Sequence, residues 1–126
     1  MNLNHIAIAC SSFENADKFY AGILGMQKEK EFTVNKELAK KIFNTDCEYN
    51  VIVYKNENFK FEVFIDKERS KDKNNIAHIC IELNNREELI EKCNKANLRM
   101  LKIPKGSSYY LFIYDYDGNL FEVKEL

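Results

Sequence analysis

The chain has only two histidines, His5 and His78, and each opens a similar stretch. Leu3-Asn4-His5-Ile6-Ala7-Ile8 reads like Ile76-Ala77-His78-Ile79-Cys80-Ile81. A second echo follows each one: Phe59-Lys60-Phe61-Glu62-Val63-Phe64 is matched by Asn119-Leu120-Phe121-Glu122-Val123-Lys124. Two imidazoles and two carboxylates form a donor set for a divalent cation, with positions left over for a substrate. A duplicated folding unit explains a repeated apolar pattern, but not a repeated imidazole and carboxylate. Taken singly, each histidine reads as a core residue with an ordinary partner and each glutamate as a surface acid. The repeat turns them into one candidate metal set: His5, Glu62, His78 and Glu122.

Strand alternation says how these groups are presented. In a strand over 2–9, His5 shares a face with Leu3, Ala7 and Ala9, while Ile6 and Ile8 point the other way. In a strand over 76–83, His78 is flanked on its face by Ile76 and Cys80. Phe61 and Val63 point away from Glu62, as Phe121 and Val123 do from Glu122. The bulky faces belong under helices, so the four polar groups project from the opposite, hollow side. Burying them there without a cation would be costly.

The remaining elements follow the same repeat. Ser11-Ser12-Phe13-Glu14 reads as a capping box, with Ser11 as the cap. A helix follows that buries Phe13, Ala16, Phe19, Tyr20, Ile23 and Leu24 and stops at Gly25. Met26 to Phe32 reads as a strand. Asn35 to Phe43 reads as a short helix with Leu38, Ala39, Ile42 and Phe43 on one side. Strands over 47–54 and 58–65 enclose a turn at Lys55-Asn56-Glu57. The charge-rich, apolar-free stretch 67–75 is the link between halves. After it come a strand, a helix capped by Asn85 with Glu88, and strands over 98–103, 109–115 and 119–125. That second helix buries Leu89, Cys93 and Ala96 and ends at Asn97. The last two strands are joined by Asp115-Tyr116-Asp117-Gly118-Asn119. The chain therefore reads as one α+β domain, 1–126, made of module one (1–66), the linker (67–75) and module two (76–126).

Composition narrows the partners. With 126 residues, 45% hydrophobic and 31% charged, the chain can bury a core and solvate its surface. A net charge of −1 excludes a strong electrostatic pull toward nucleic acid or anionic membranes. No apolar run is long enough to span a bilayer. The four cysteines form no C-x-x-C pair and follow no leader, which points to reduced thiols and a cytoplasmic protein. Cys80 shares a face with His78 and reads as a small packing residue.

At these residues the chain resembles the vicinal-oxygen-chelate superfamily, which includes glyoxalase I, bleomycin-resistance proteins, methylmalonyl-CoA epimerase, extradiol dioxygenases and fosfomycin-resistance enzymes. Its carriers are Asn4-His5-Ile6-Ala7-Ile8, the run Ala16-Asp17-Lys18-Phe19-Tyr20 into Leu24-Gly25-Met26, the restart Ala77-His78-Ile79, and the ending Asp115-Tyr116-Asp117-Gly118-Asn119-Leu120-Phe121-Glu122. Together they span essentially the whole chain. The resemblance implies two βαβββ modules whose curled mixed sheets enclose a shared cavity. It places His5 and Glu62, then His78 and Glu122, at the ligand positions of the two modules. This His/Glu/His/Glu set is similar to that of bacterial glyoxalase I.

The activity so implied is that of a metal-dependent lyase or isomerase, which moves a proton beside a carbonyl through a metal-stabilised enediolate. Nickel, cobalt or zinc would be the cofactor. Glu122 is the preferred base and Glu62 the second choice. Lys105, in Lys105-Gly106-Ser107-Ser108, resembles part of a substrate-closing loop; read alone, that segment is a surface turn. Tyr110, Phe112 and Tyr114 are candidates to line the pocket for a small-molecule substrate. Ala9 stands where glyoxalase I carries an arginine for glutathione, and the 35–43 insert is unlike the short glyoxalases, so the thiol stays open. The alternative is a drug- or toxin-binding protein of the same fold without catalysis. A homodimer is implied, with the site built within one chain or between two.

Overall fold

The computed structural model describes residues 3–69 and 77–126. The expected linker falls mostly on 70–76, outside the described residues, as do Asn2 and Ile76, which were expected in the opening strands. The chain divides into two units, Met1–Arg69 and Ser70–Leu126, and each contains one four-stranded mixed sheet. With its helices this is an α+β fold.

Unit one runs β1 (Ile6–Cys10), α1 (Phe13–Ala16) continuing into a π-helical segment (Asp17–Ile23), β2 (Gln27–Val34), α2 (Lys36–Phe43), β3 (Tyr49–Lys55) and β4 (Lys60–Ile65). Its sheet order is β1-β4-β3-β2, with β1 parallel to β4 and the other pairs antiparallel. Unit two repeats the path: β5 (Ile79–Leu83), α3 (Arg86–Lys95), β6 (Met100–Lys105), β7 (Ser108–Tyr114) and β8 (Leu120–Glu125). Its order is β5-β8-β7-β6, again with one parallel pair, β5 with β8.

Several boundaries differ from those read in the sequence. The first helix is capped by Ser12, not Ser11: the Ser12 Oγ accepts the Asn15 N–H at 3.1 Å. Ser11 instead takes the Asn15 side-chain amide at 3.2 Å. Glu14 does not reach back to the cap but pairs with Lys18 at 2.7 Å. From Asp17 the helix widens to i→i+5 bonding, seen where the Leu24 N–H reaches the Phe19 carbonyl at 2.9 Å. Ala16, Phe19, Tyr20 and Ile23 are buried, but Phe13 is 43% exposed and Leu24 only half-buried. The helix ends as expected at Gly25, with φ +66°.

The core of unit one lies between this helix and one face of the sheet. The Tyr20 ring stacks on Tyr54 at 5.5 Å and lies 5.2 Å from Phe61, all three fully buried. The Tyr54 hydroxyl donates to Asp17 at 3.3 Å, and burial pushes its pKa well above the usual phenol value. Pairing sets Ile8 beside Val63 and Tyr54 beside Phe61, so the helix covers the face opposite Glu62.

The other helix, α2, begins one residue later than read in the sequence, with Asn35 as its cap: the Asn35 Oδ1 accepts the Leu38 N–H at 2.9 Å. Its apolar side is not the buried face that the sequence pattern suggests. Ala39 packs with Val34 and Val51, while Leu38, Ile42 and Phe43 remain 45%, 59% and 47% exposed. So short a helix meets the sheet through one small residue and an edge-on Phe43–Phe64 contact, and cannot lay down a full stripe.

Unit two agrees more closely with expectation. Asn85 Oδ1 accepts the Glu88 N–H at 3.1 Å, and Asn97 adopts φ +52° just beyond the helix end. Leu89 and Cys93 are buried; Ala96, expected with them, is half-buried at the C-cap. Apolar surroundings push the Cys93 thiol up to about 11. The segment Lys105–Ser108 is a tight hairpin: Lys105 and Ser108 are paired strand ends, joined by Gly106 and Ser107.

The β7–β8 turn is organised by Asp115. Its Oδ1 accepts the N–H groups of Asp117 and Asn119, each at 2.9 Å, and its Oδ2 accepts the Asn119 side-chain amide at 2.7 Å. Gly118 turns the chain at φ +82°. Burial raises the Asp115 pKa, against the lowering effect of these hydrogen bonds. Replacing Asp115 with Ala strands two buried N–H groups and is expected to cost about 1–3 kcal/mol in a chemical denaturation measurement. An unchanged unfolding midpoint would show that the turn is held by other contacts.

Candidate metal centre

The two halves deliver their imidazoles in the same way. His5 and His78 stand one residue before β1 and β5, not inside the strands as alternation suggested. In the parallel pairing of β1 with β4, Ala7 lies opposite Glu62; in β5 with β8, Cys80 lies opposite Glu122. Each histidine is two residues before that partner and so lies on the glutamate's face. The result is two like pairs. His5 Nε2 lies 3.4 Å from Glu62 Oε2, and His78 Nε2 lies 3.5 Å from Glu122 Oε2. The glutamates are mostly covered, with side chains 23% and 17% exposed, and the imidazoles are more open at 41% and 36%.

These separations suit shared ligation. Two donors each about 2.0–2.2 Å from one cation lie roughly 3.0–3.5 Å apart at near-tetrahedral or octahedral angles. Each unit therefore presents two donors of the right type at the right spacing. Among the described residues, no three His, Cys, Asp or Glu side chains gather as a set that could hold an ion. The second nitrogen of His5 is oriented by Asn4, whose Oδ1 lies 3.0 Å from Nδ1. The His78 ring meets Phe112 edge-on, with centroids 6.0 Å apart.

The surroundings of the two glutamates differ. Glu122 is opposite Cys80 on one side and Phe112 on the other, and Lys124 Nζ is 3.9 Å from its Oε1. Cys80 is exposed; partial burial comes first in raising its thiol pKa, with the Glu122 charge next. Glu62 is opposite Ala7 and Val53.

Register also places the candidate pocket residues. Phe112 pairs with Glu122, and Tyr114 with Leu120, so Tyr110, Phe112 and Tyr114 share the Glu122 face. Ile103 pairs with Tyr110, which puts Lys105 on that face too; its ammonium sits 4.5 Å over the Tyr110 ring. The tight hairpin at Gly106-Ser107 makes Lys105 part of a strand rather than of a long closing loop. A groove of about 340 Å³ in unit one borders α1 instead, with Phe13, Glu31, Thr33, Asn50 and Ile52 among its lining residues. The bulge in β2 between Lys28 and Lys30 carries no signal in the apolar pattern, and neither does the charged cluster gathered beside it.

Among the described residues no helix is long and apolar enough to cross a membrane. A family model described as the glyoxalase/bleomycin resistance protein/dioxygenase superfamily matches residues 4–114. No curated protein matches in sequence. Solved structures share the fold at low identity. A glyoxalase family protein from Enterococcus faecalis is 18% identical, with 97% of this chain and 95% of that chain covered and a TM-score of 0.72. The trypanothione-dependent glyoxalase I of Leishmania major is also 18% identical, with coverage of 99% and 86% and a TM-score of 0.72. A mutant fosfomycin resistance protein from Listeria monocytogenes, complexed with manganese(II) and 1S,2S-dihydroxypropylphosphonic acid, is 14% identical, with coverage of 98% and 88% and a TM-score of 0.72.

Proposed function

The chain belongs to the glyoxalase/bleomycin resistance protein/dioxygenase superfamily, and we propose that it is a metal-dependent lyase or isomerase of the glyoxalase I type. The observation that carries this reading is the repeated His–Glu pair, at 3.4 Å in one unit and 3.5 Å in the other. Family members that only bind a small molecule need no such pair, let alone two.

His5, Glu62, His78 and Glu122 would hold a divalent cation: nickel, cobalt or zinc. When bound, that cation supplies Lewis acidity to adjacent oxygens of the substrate. The protein's own groups do the rest. Glu122 takes a proton from the carbon beside the carbonyl and returns it to the neighbouring carbon, with Glu62 as the second candidate. Phe112, the cross-strand partner of Glu122, meets the His78 ring edge-on and adds an apolar wall beside the pair. Tyr110, Tyr114 and Lys105 extend the same face, where the Lys105 ammonium can meet an acidic group of the substrate. The substrate is a small hydroxy-carbonyl compound or thiol adduct. Ala9, which offers no charge, speaks against glutathione. The working form is a cytoplasmic homodimer.

The test is metal analysis of untagged protein, followed by proton exchange from deuterated solvent into hemithioacetals and hydroxy-ketones. Bound metal with exchange into at least one compound supports the proposal. Bound metal with no exchange across the panel would leave a binding protein of the same fold, and protein that retains no metal would end the reading.

A further inference from the structure

The Glu62 face of unit one carries a charged cluster with no counterpart among the described residues of unit two. Lys60 is two residues before Glu62 on β4 and shares its face, and Lys55 pairs with Lys60 across the hairpin. Ile6 lies opposite Phe61, so His5 and Lys60, one residue earlier on each parallel strand, are level with each other. Glu29 sits at the register break of β2, between Lys28 and Lys30. Its carboxylate accepts from Lys55 at 3.0 Å and from Lys60 at 3.0 and 3.3 Å. The Lys60 hydrogen bond first, then that of Lys55, hold Glu29 below the usual carboxylate range.

Two ammonium groups against one carboxylate leave an excess positive charge, and each lysine keeps N–H donors that Glu29 does not use. The lysine side chains are 40% and 39% exposed, open enough to meet a ligand. At the same place in unit two stand Leu120 and its cross-strand partner Tyr114, whose ring carries the Arg99 guanidinium at 4.3 Å. Among the described residues, the repeat keeps the His–Glu pair in both units but the two-lysine cluster in unit one alone.

We propose that Lys55 and Lys60, held together by Glu29, form an oxyanion subsite. It would take the carboxylate, phosphate or phosphonate end of a substrate whose paired oxygens lie at the neighbouring His5–Glu62 pair. Glu29 is a positioning residue: it offsets the repulsion between the two ammonium groups and fixes their spacing. This subsite rests on the metal-site reading above and narrows it to anionic substrates.

Dihydroxyacetone phosphate and dihydroxyacetone present the same carbonyl and hydroxyl oxygens and differ by one phosphate. Each is titrated into the full chain, with and without zinc, alongside inorganic phosphate, by calorimetry and by amide chemical shifts. The ester is expected to bind about tenfold or more tightly than the neutral ketone, in line with a charge-assisted hydrogen bond. Shifts should centre on Glu29, Lys55 and Lys60. Lys55→Met and Lys60→Met should each remove most of that preference, Glu29→Gln should reduce it, and Lys41→Met on α2 should leave it unchanged. A preference that survives both lysine substitutions, or inorganic phosphate binding as tightly as the ester, overturns the subsite. Zinc affinity is measured separately. Nickel and cobalt are titrated in the same way: protein that binds any of the three without preferring the ester fails this inference alone, whereas protein that prefers the ester but binds none of them fails the metal reading alone.

Discussion

Glu122→Gln is expected to slow proton exchange into the best substrate by about 10²–10⁴-fold, the usual contribution of a positioned general base. The amide keeps the size and an oxygen donor of the carboxylate but cannot accept the proton. Glu122 is the less exposed of the two glutamates, at 17% against 23%, and Phe112 lies directly opposite it. A base with the smaller exposed fraction is better placed to hold its proton between the two carbons. Glu62→Gln, measured in parallel, is expected to cost less. Exchange rates read by solvent isotope incorporation decide the assignment. A larger loss at Glu62 would exchange the two roles, and full activity in both variants would remove the glutamates from the chemistry.

Removal of either imidazole is expected to cost at least as much in metal affinity. Loss of groups that merely support a ligand typically weakens binding by about 10–100-fold, so His5→Ala and His78→Ala should each fall by about 100-fold or more. The two effects should be similar, because the pairs have nearly equal separations. Imidazole binds a cation only when neutral, so affinity should also fall between about pH 8 and about pH 5. Competition with a chromogenic chelator measures all of this. A His78→Ala protein with undiminished affinity would remove His78 from the ligand set, and a pH-independent affinity would point to carboxylates alone.

Much of the fold was legible because its signals are local. Asn85, Asn97, Gly25 and Gly118 each act within a few residues, through a capping hydrogen bond or a left-handed backbone angle. Strand alternation placed Phe61 and Val63 under the helix and Glu62 on the other face, and the register agrees. Ser11 reads as the cap because Glu14 follows three residues later, but both serine hydroxyls reach Asn15, and it is Ser12 that takes its backbone N–H. The widening at Asp17 carries no residue signature: the helix composition suits either bonding pattern, and packing of Tyr20 against Tyr54 and Phe61 accompanies the one observed. The apolar side of α2 misled because periodicity reports which residues align, not whether a surface lies beneath them.

The amino-acid sequence by itself determined the repeat, the two sheet modules and the four candidate ligands. Each of these is written as residue type at a fixed spacing, and spacing along a strand dictates face. Tertiary structure alone decided that each imidazole meets the glutamate of its own module, and that Lys55, Lys60 and Glu29 share one place. Those meetings depend on which strands pair, in which register and with which bulge. Pairing between distant segments is settled by packing of the whole sheet, where the contribution of any one residue is too small to be read along the chain.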